Sequence, residues 1–148
     1  MSPQEMWQAY CTATGTDLPM PAPEYFDDHE DGANLLADLV LRGIKRATCS
    51  AVWSYRQTGE PIPEAGEIWL VTNWAGDAQC ILETTQVDIV PFNQVSDEFA
   101  FLEGEGDRTL THWRQAHERF FRRQFEGTSD EFTEAMPLFC QRFRVVYP

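Results

Sequence analysis

Gly43-Ile44-Lys45-Arg46-Ala47-Thr48 is the stretch on which the reading of this chain turns. Just before it, Leu35, Leu36, Leu39 and Val40 recur at helical spacing, so a helix is expected over 31–41. Asp31 is placed to cap its start and Gly43 to close it in a left-handed conformation. The hexapeptide leaves that helix as a turn or short strand. It carries the only lysine of the chain, set against ten arginines. Burial can lower a lysine's pKa until it serves as a base near neutrality, which arginine cannot do. A turn at a helix exit can bring the Lys45 ammonium and the Thr48 hydroxyl together, and a lysine beside a hydroxyl is one way to activate a nucleophile. These two residues are the first candidates for chemistry.

Around this stretch the elements alternate in type. Pro3 to Thr14 can form a helix that Gly15 and the prolines at 19, 21 and 23 end, which makes 1–25 an N-terminal arm or cap and leaves 26–148 as the main domain. Residues 67–72 and 78–90 are rich in β-branched side chains, and Gly76-Asp77 supplies the turn of a hairpin. Ser96 can cap a short helix through Leu102. A longer helix over 110–123 places Leu110, Trp113, His117, Phe120 and Phe121 on one stripe. Residues 138–147 alternate as a closing strand. Together these give an α+β domain with a curved or closed sheet decorated by helices.

Composition narrows the function. With 148 residues, 43% hydrophobic, the chain can bury one core of good size. No apolar run approaches the roughly 18 residues of a membrane span. The N-terminus MSPQEMWQAY has no basic segment followed by an apolar one, so no secretory signal is read and a cytoplasmic location is expected. Four cysteines without a CxxC pair or zinc spacing are expected as free thiols, with no metal and no cofactor. A net charge of −13 argues against long or duplex nucleic acid held through phosphates. The cations do gather, as Arg42, Lys45 and Arg46, as Arg114, Arg119, Arg122 and Arg123, and as Arg142 and Arg144, so a short anionic ligand could be held where they meet.

Glu103-Gly104-Glu105-Gly106-Asp107 sets three carboxylates on alternate residues among glycines that let the backbone approach closely or turn sharply. It reads either as a solvated acidic loop or as the source of a carboxylate that pairs with Lys45 and donates a proton to a leaving group. His117, within the apolar stripe, reads as a hydrogen-bonded core residue. No GxSxG elbow, P-loop or dinucleotide fingerprint is present.

The order of GxKxxT at 43–48, Pro91-Phe92, Phe99-Ala100, the 103–107 turn, Trp113, His117 and Phe120-Phe121 resembles the ASCH family, longer bacterial type, across residues 26 to 147. The resemblance implies a PUA-like small mixed β-barrel with a cleft beneath its helices, binding of a nucleoside, nucleotide or short RNA, and hydrolysis in some members. Small bacterial members include amidohydrolases that act on N4-acetylcytidine through lysine, threonine and glutamate; others are described as ribonucleases. Carried over, Lys45 is the base, Thr48 the nucleophile and Glu103 the acid, with Glu105 as the alternative acid. Arg42, Arg46 and Arg114 would contact the substrate and Trp53 would stack on it. A non-enzymatic ligand-binding regulator remains open, because fold membership does not fix function.

Overall fold

The computed structural model describes all residues, Met1–Pro148. Helix α1 (Pro3–Thr14) opens with a capping box, in which the Ser2 hydroxyl accepts from the Glu5 amide while the Glu5 carboxylate accepts from the Ser2 amide. Helix α2 (Glu30–Leu41) begins two residues earlier than the expected Asp31 cap allows. His29 occupies the cap position without a side-chain hydrogen bond, and Glu30 and Asp31 instead lie in the first turn, where the helix dipole favours acids. Gly43 follows at φ 72°, as the sequence requires.

Strand β1 (Ala47–Ala51) leads into α3 (Val52–Thr58), a helix the sequence reading passed over. The hairpin of β2 (Ile68–Thr72) and β3 (Ala78–Pro91) matches expectation. At its turn the Asp77 amide donates to Asn73 Oδ1 at 2.9 Å and Gly76 sits at φ 91°. A short 3-10 turn follows, then α4 (Asp97–Glu103), whose Ser96 hydroxyl caps the Phe99 amide, then α5 (Leu110–Phe125) and β4 (Pro137–Tyr147).

The four strands form one antiparallel sheet in the order β1-β4-β3-β2. Register shifts near Leu82 and Gln86 of β3 are bulges of the kind that increase twist, and the sheet curls into a half-barrel. A parallel bridge from Glu24 to Val71 makes the pairing mixed at its outer edge.

Three apolar clusters hold helices to the sheet. The largest joins Phe92, Phe99, Trp113, Phe121 and Phe125 to Ala47, Leu138 and Cys140. A second packs Leu36, Ala37 and Val40 of α2 with Phe26 on Val71, Leu82 and Phe143. The third seats Met6, Trp7 and Tyr10 of α1 on Leu70, Ala78 and Ile81. Burial on α5 therefore runs through Trp113, Phe121 and Phe125, while His117 and Phe120 of the expected stripe are only half-buried.

One close approach fixes the relation of α4 to the exit of α2. Gly104 ends α4 at φ 75°, and a Cβ there would lie 2.6 Å from the Ile44 carbonyl oxygen. The Arg46 amide donates to the Leu102 carbonyl at 2.7 Å alongside. Gly104→Ala should therefore cost more than the backbone strain of about 1–3 kcal/mol that a left-handed residue carries. Gly76→Ala, at φ 91° with nothing within 4 Å of the added carbon, should cost the strain alone. Urea denaturation of both variants checks this, and equal losses would remove the close-approach account.

Candidate active site

The backbone contact at Gly104 delivers Glu103 and Glu105 to either side of Lys45. Lys45 is almost completely buried. Its Nζ donates to the Ala47 carbonyl at 2.8 Å, to Glu103 Oε1 at 3.2 Å and to Glu105 Oε2 at 3.1 Å, so the three ammonium hydrogens are all used. Burial by itself would push the Lys45 ammonium down, but Glu105 and Glu103 outweigh it and hold the group above its ordinary value. Lys45 rests as a cation.

Glu103 is equally enclosed. Its Oε2 accepts from Trp113 Nε1 at 2.5 Å and faces His117 Nε2 at 3.4 Å. Burial pushes this carboxyl up, yet His117, Lys45 and Trp113 together hold it far below the usual carboxylate range. The resting charges are thus the reverse of those a lysine base and a glutamic acid need at the start of a reaction. Glu105, with its side chain one-quarter exposed, is the more accessible carboxylate of the pair.

His117 lies flat on Trp113, ring centroids 4.2 Å apart, with Nδ1 2.8 Å from the Trp113 carbonyl oxygen. Burial lowers its pKa, and Glu103 more than compensates and raises it. The ring is hydrogen-bonded and largely enclosed, as expected of a core residue, but its remaining exposed edge also lines a cleft.

That cleft, about 290 Å³, runs between the Phe26–Leu36 region, β1 and α5. Lys45, Thr48, Glu103, Glu105 and His117 form its inner end, and His29, Arg119 and Arg123 with Phe120 form its outer wall. Three of the four carried-over polar residues are adjacent through Lys45, and Thr48 opens onto the same space. The expected substrate contacts lie elsewhere. Arg42 is exposed and pairs with Asp38, and Arg46 lines a separate hollow with Val40, Phe143 and Arg144. Arg114 donates to the Asn93 carbonyl. Trp53 packs on Phe125 at 4.5 Å and donates to Asp130.

Cys49 Sγ, Glu103 and His117 offer donor atoms within 4.8 Å of one another, and Asp27, Asp28 and His29 do so at the surface. In the first group Lys45 and His117 already supply the cationic charge that Glu103 needs, so the cluster is organised as an ion network. The Cys49 thiol is pushed well above its ordinary value by burial and by Glu103, which keeps it protonated. All four cysteines are free thiols.

No local pattern points to Phe26 and His29, which reach the cleft only through the fold. Arg119 and Arg123 carried a signal in their i, i+4 spacing on α5 with Phe120 between them, which places all three on neighbouring stripes of the helix.

The family profile of the ASCH domain matches residues 23–147. The chain belongs to the ASCH domain family. An ASCH domain from Lactobacillus crispatus JV V101 superposes with a TM-score of 0.92 at 41% identity, over 99% of this chain and 94% of that one. The protein EF3133 of Enterococcus faecalis V583 follows at a TM-score of 0.91 and 34% identity, over 97% and 87%. The hypothetical protein PH0355, at 11% identity and a TM-score of 0.52, shares the fold alone. No curated protein matches the sequence. The ASCH assignment fixes the PUA-like α+β architecture and the element order. No helix in this ASCH protein is long and apolar enough to cross a membrane.

The charge network makes the stability of the ASCH fold pH-dependent in two opposite ways. Glu103 is depressed, so its contribution is present above the ordinary carboxyl value of 4.5 and is lost as pH falls toward its folded value. His117 is raised, so its contribution is full below 6.5 and is lost as pH rises through its folded value. Thermal melts should therefore show the site's support declining on both sides of a window from about pH 4.5 to 6.5. Glu103→Gln should flatten the acid limb and cost about 3–5 kcal/mol, because it removes the buried charge that Lys45 and His117 share and leaves Lys45 with Glu105 as its one carboxylate. Glu105→Gln, which leaves Glu103 in place, should cost less.

Proposed function

We propose that this ASCH protein is a hydrolase that cleaves the amide of an acylated nucleoside such as N4-acetylcytidine. The observation that carries the reading is the buried Lys45 ammonium held between two carboxylates at the closed end of a cleft that Thr48 also lines. Burying an ion network is weak evidence for stability, since apolar packing of the same volume often serves a fold as well. Titratable groups so strongly perturbed, gathered in one cleft, are what acid–base chemistry requires.

In this reading Thr48 Oγ attacks the acyl carbon. Lys45 takes the hydroxyl proton as it passes one of its own to Glu105, so the proton lost by Thr48 arrives on a carboxylate and the ammonium is regenerated. Lys45 is then a base only through its partners. Glu103 holds the ammonium and the imidazole of His117 in place. Phe26 and Phe120 supply apolar walls for a base ring. The volume sits at the small end of ligand pockets, about 300 Å³, which suits a single nucleoside.

A second reading has one specific observation behind it. Arg119 lies on the outer wall of the cleft and, despite 24 acidic residues in the chain, pairs with no carboxylate. A nucleotide or short RNA would find a phosphate partner there. The two readings separate on salt, because binding through phosphates weakens linearly in log affinity against log salt and binding of a neutral nucleoside does not.

Release of cytidine from N4-acetylcytidine, followed by chromatography, tests the hydrolase. Thr48→Val should reduce the rate to background while leaving the melting temperature near wild type, and Thr48→Ser should keep measurable activity. Lys45→Arg should lose at least about a hundredfold, since guanidinium keeps the charge but cannot pass a proton. Full activity in Thr48→Val would rule out the threonine nucleophile. A rate that climbs with pH into the range where free lysine titrates would show instead that a neutral amine acts alone.

A further inference from the structure

Cleaving an amide requires a proton on the departing nitrogen, and the inner end of the cleft contains few groups able to give one. Every hydrogen of the Lys45 ammonium is spent on Ala47, Glu103 and Glu105. Glu103 is ionised and has no proton to give. The Cys49 thiol is a weak acid in this setting.

His117 differs from all of these. Its Nδ1 faces the Trp113 carbonyl oxygen at 2.8 Å, an atom that only accepts, so Nδ1 carries hydrogen. Its Nε2 faces Glu103 Oε2 at 3.4 Å, a carboxylate oxygen that also only accepts. Both contacts are satisfied together only by the doubly protonated ring. The charged groups facing that ring are Glu103 at the end of α4, Glu105 in the turn beyond it and Lys45 ahead of β1, with the Cys49 thiol on β1. Two cations meet two anions there, so the imidazolium is balanced.

The two contacts of the ring are unequal. The short Nδ1 bond and the stack on Trp113 fix its plane, whereas the Nε2 contact is long enough to be exchanged for a substrate atom. The 12% exposure of this side chain is toward the cleft.

We propose that His117 is the general acid of the site, delivering its Nε2 proton to the nitrogen that leaves. The inference rests on the hydrolase reading above. As the bond from Thr48 Oγ to the acyl carbon forms, the carbon–nitrogen bond breaks. The nitrogen takes the His117 proton and departs as a neutral amine, while the threonine proton resides on Glu105. Water then attacks the threonine ester and gives one proton back to Nε2. The ester oxygen recovers its proton from Glu105 through Lys45, and the carboxylic acid product leaves.

A general acid matters in proportion to how poor the leaving group is, and this separates His117 as acid from His117 as support. His117→Gln keeps a polar group near the Nε2 position but cannot transfer a proton. It should lower kcat/KM for N4-acetylcytidine by about 10²- to 10⁴-fold. The same variant should change kcat/KM for p-nitrophenyl acetate, which reports only the steps up to departure of a phenolate that needs no proton and not the later attack of water, by less than about tenfold. Equal losses on both substrates would make His117 a positioning residue, and no loss on the amide would remove it from the reaction; either result overturns the inference alone. A wild-type protein inactive on both substrates would overturn the hydrolase reading and take this inference with it. Should His117→Gln fail to fold, the wild-type pH profiles decide. An alkaline limb for the amide that is absent for the ester supports the acid, and identical limbs refute it.

Discussion

Everything at the functional end of this molecule follows from the cost of placing one ammonium out of water. An isolated buried cation is disfavoured by several kcal/mol, so Lys45 can occupy its nearly sealed position only if oxygen atoms surround it. Glu103, Glu105 and the Ala47 carbonyl provide them. The demand propagates outward. Glu103 must itself be buried, and so it recruits Trp113 and His117 from α5. The two glutamates can flank the ammonium only if the chain between them turns tightly against Ile44, which is the work of Gly104. Four elements are thus positioned by one charge.

The sheet supplies the rigid side of this arrangement. Antiparallel pairing of β1 with β4 holds Ala47 to Ala51 in register, so Thr48 and the Ala47 carbonyl are fixed relative to each other. The largest apolar cluster anchors α4 and α5 on one side, while the cluster around α2 holds Phe26 and Leu36 on the other. The cleft lies at the seam between these two cores, where neither can close over the charged groups. A cleft floored by ions and walled by Phe26 and Phe120 offers a substrate an apolar surface along its length and polar atoms at one end. Ligand sites commonly have this composition.

Much of the architecture was legible in local patterns. The hairpin, the Ser96 cap, the terminal strand and the long helix each rest on residues close in sequence, and all appear within one or two positions of their expected bounds. Helix α3 was missed because Val52 to Thr58 mixes aromatic and polar residues with little helical preference, and it is held instead by packing of Trp53 on Phe125. Arg42 and Arg46 are near Lys45 in sequence, which does not place them on its side of the chain. On a helix end and its exit, neighbouring residues point to different sides, so Arg42 turns to Asp38 and Arg46 to another hollow.

The sequence by itself determined that Lys45 is unique, that it lies three residues from Thr48 and that an acidic, glycine-spaced turn is available to answer it, because uniqueness and short-range spacing are properties of the chain. Only the tertiary structure decided the charge states and the company they keep. His117 read as a core residue, since its helical stripe is apolar and nothing nearby in sequence reveals the carboxylate ten or more positions away. The fold brings that carboxylate to its Nε2 and a carbonyl to its Nδ1. Protonation depends on burial and on the sum of neighbouring charges, which are quantities of three-dimensional distance.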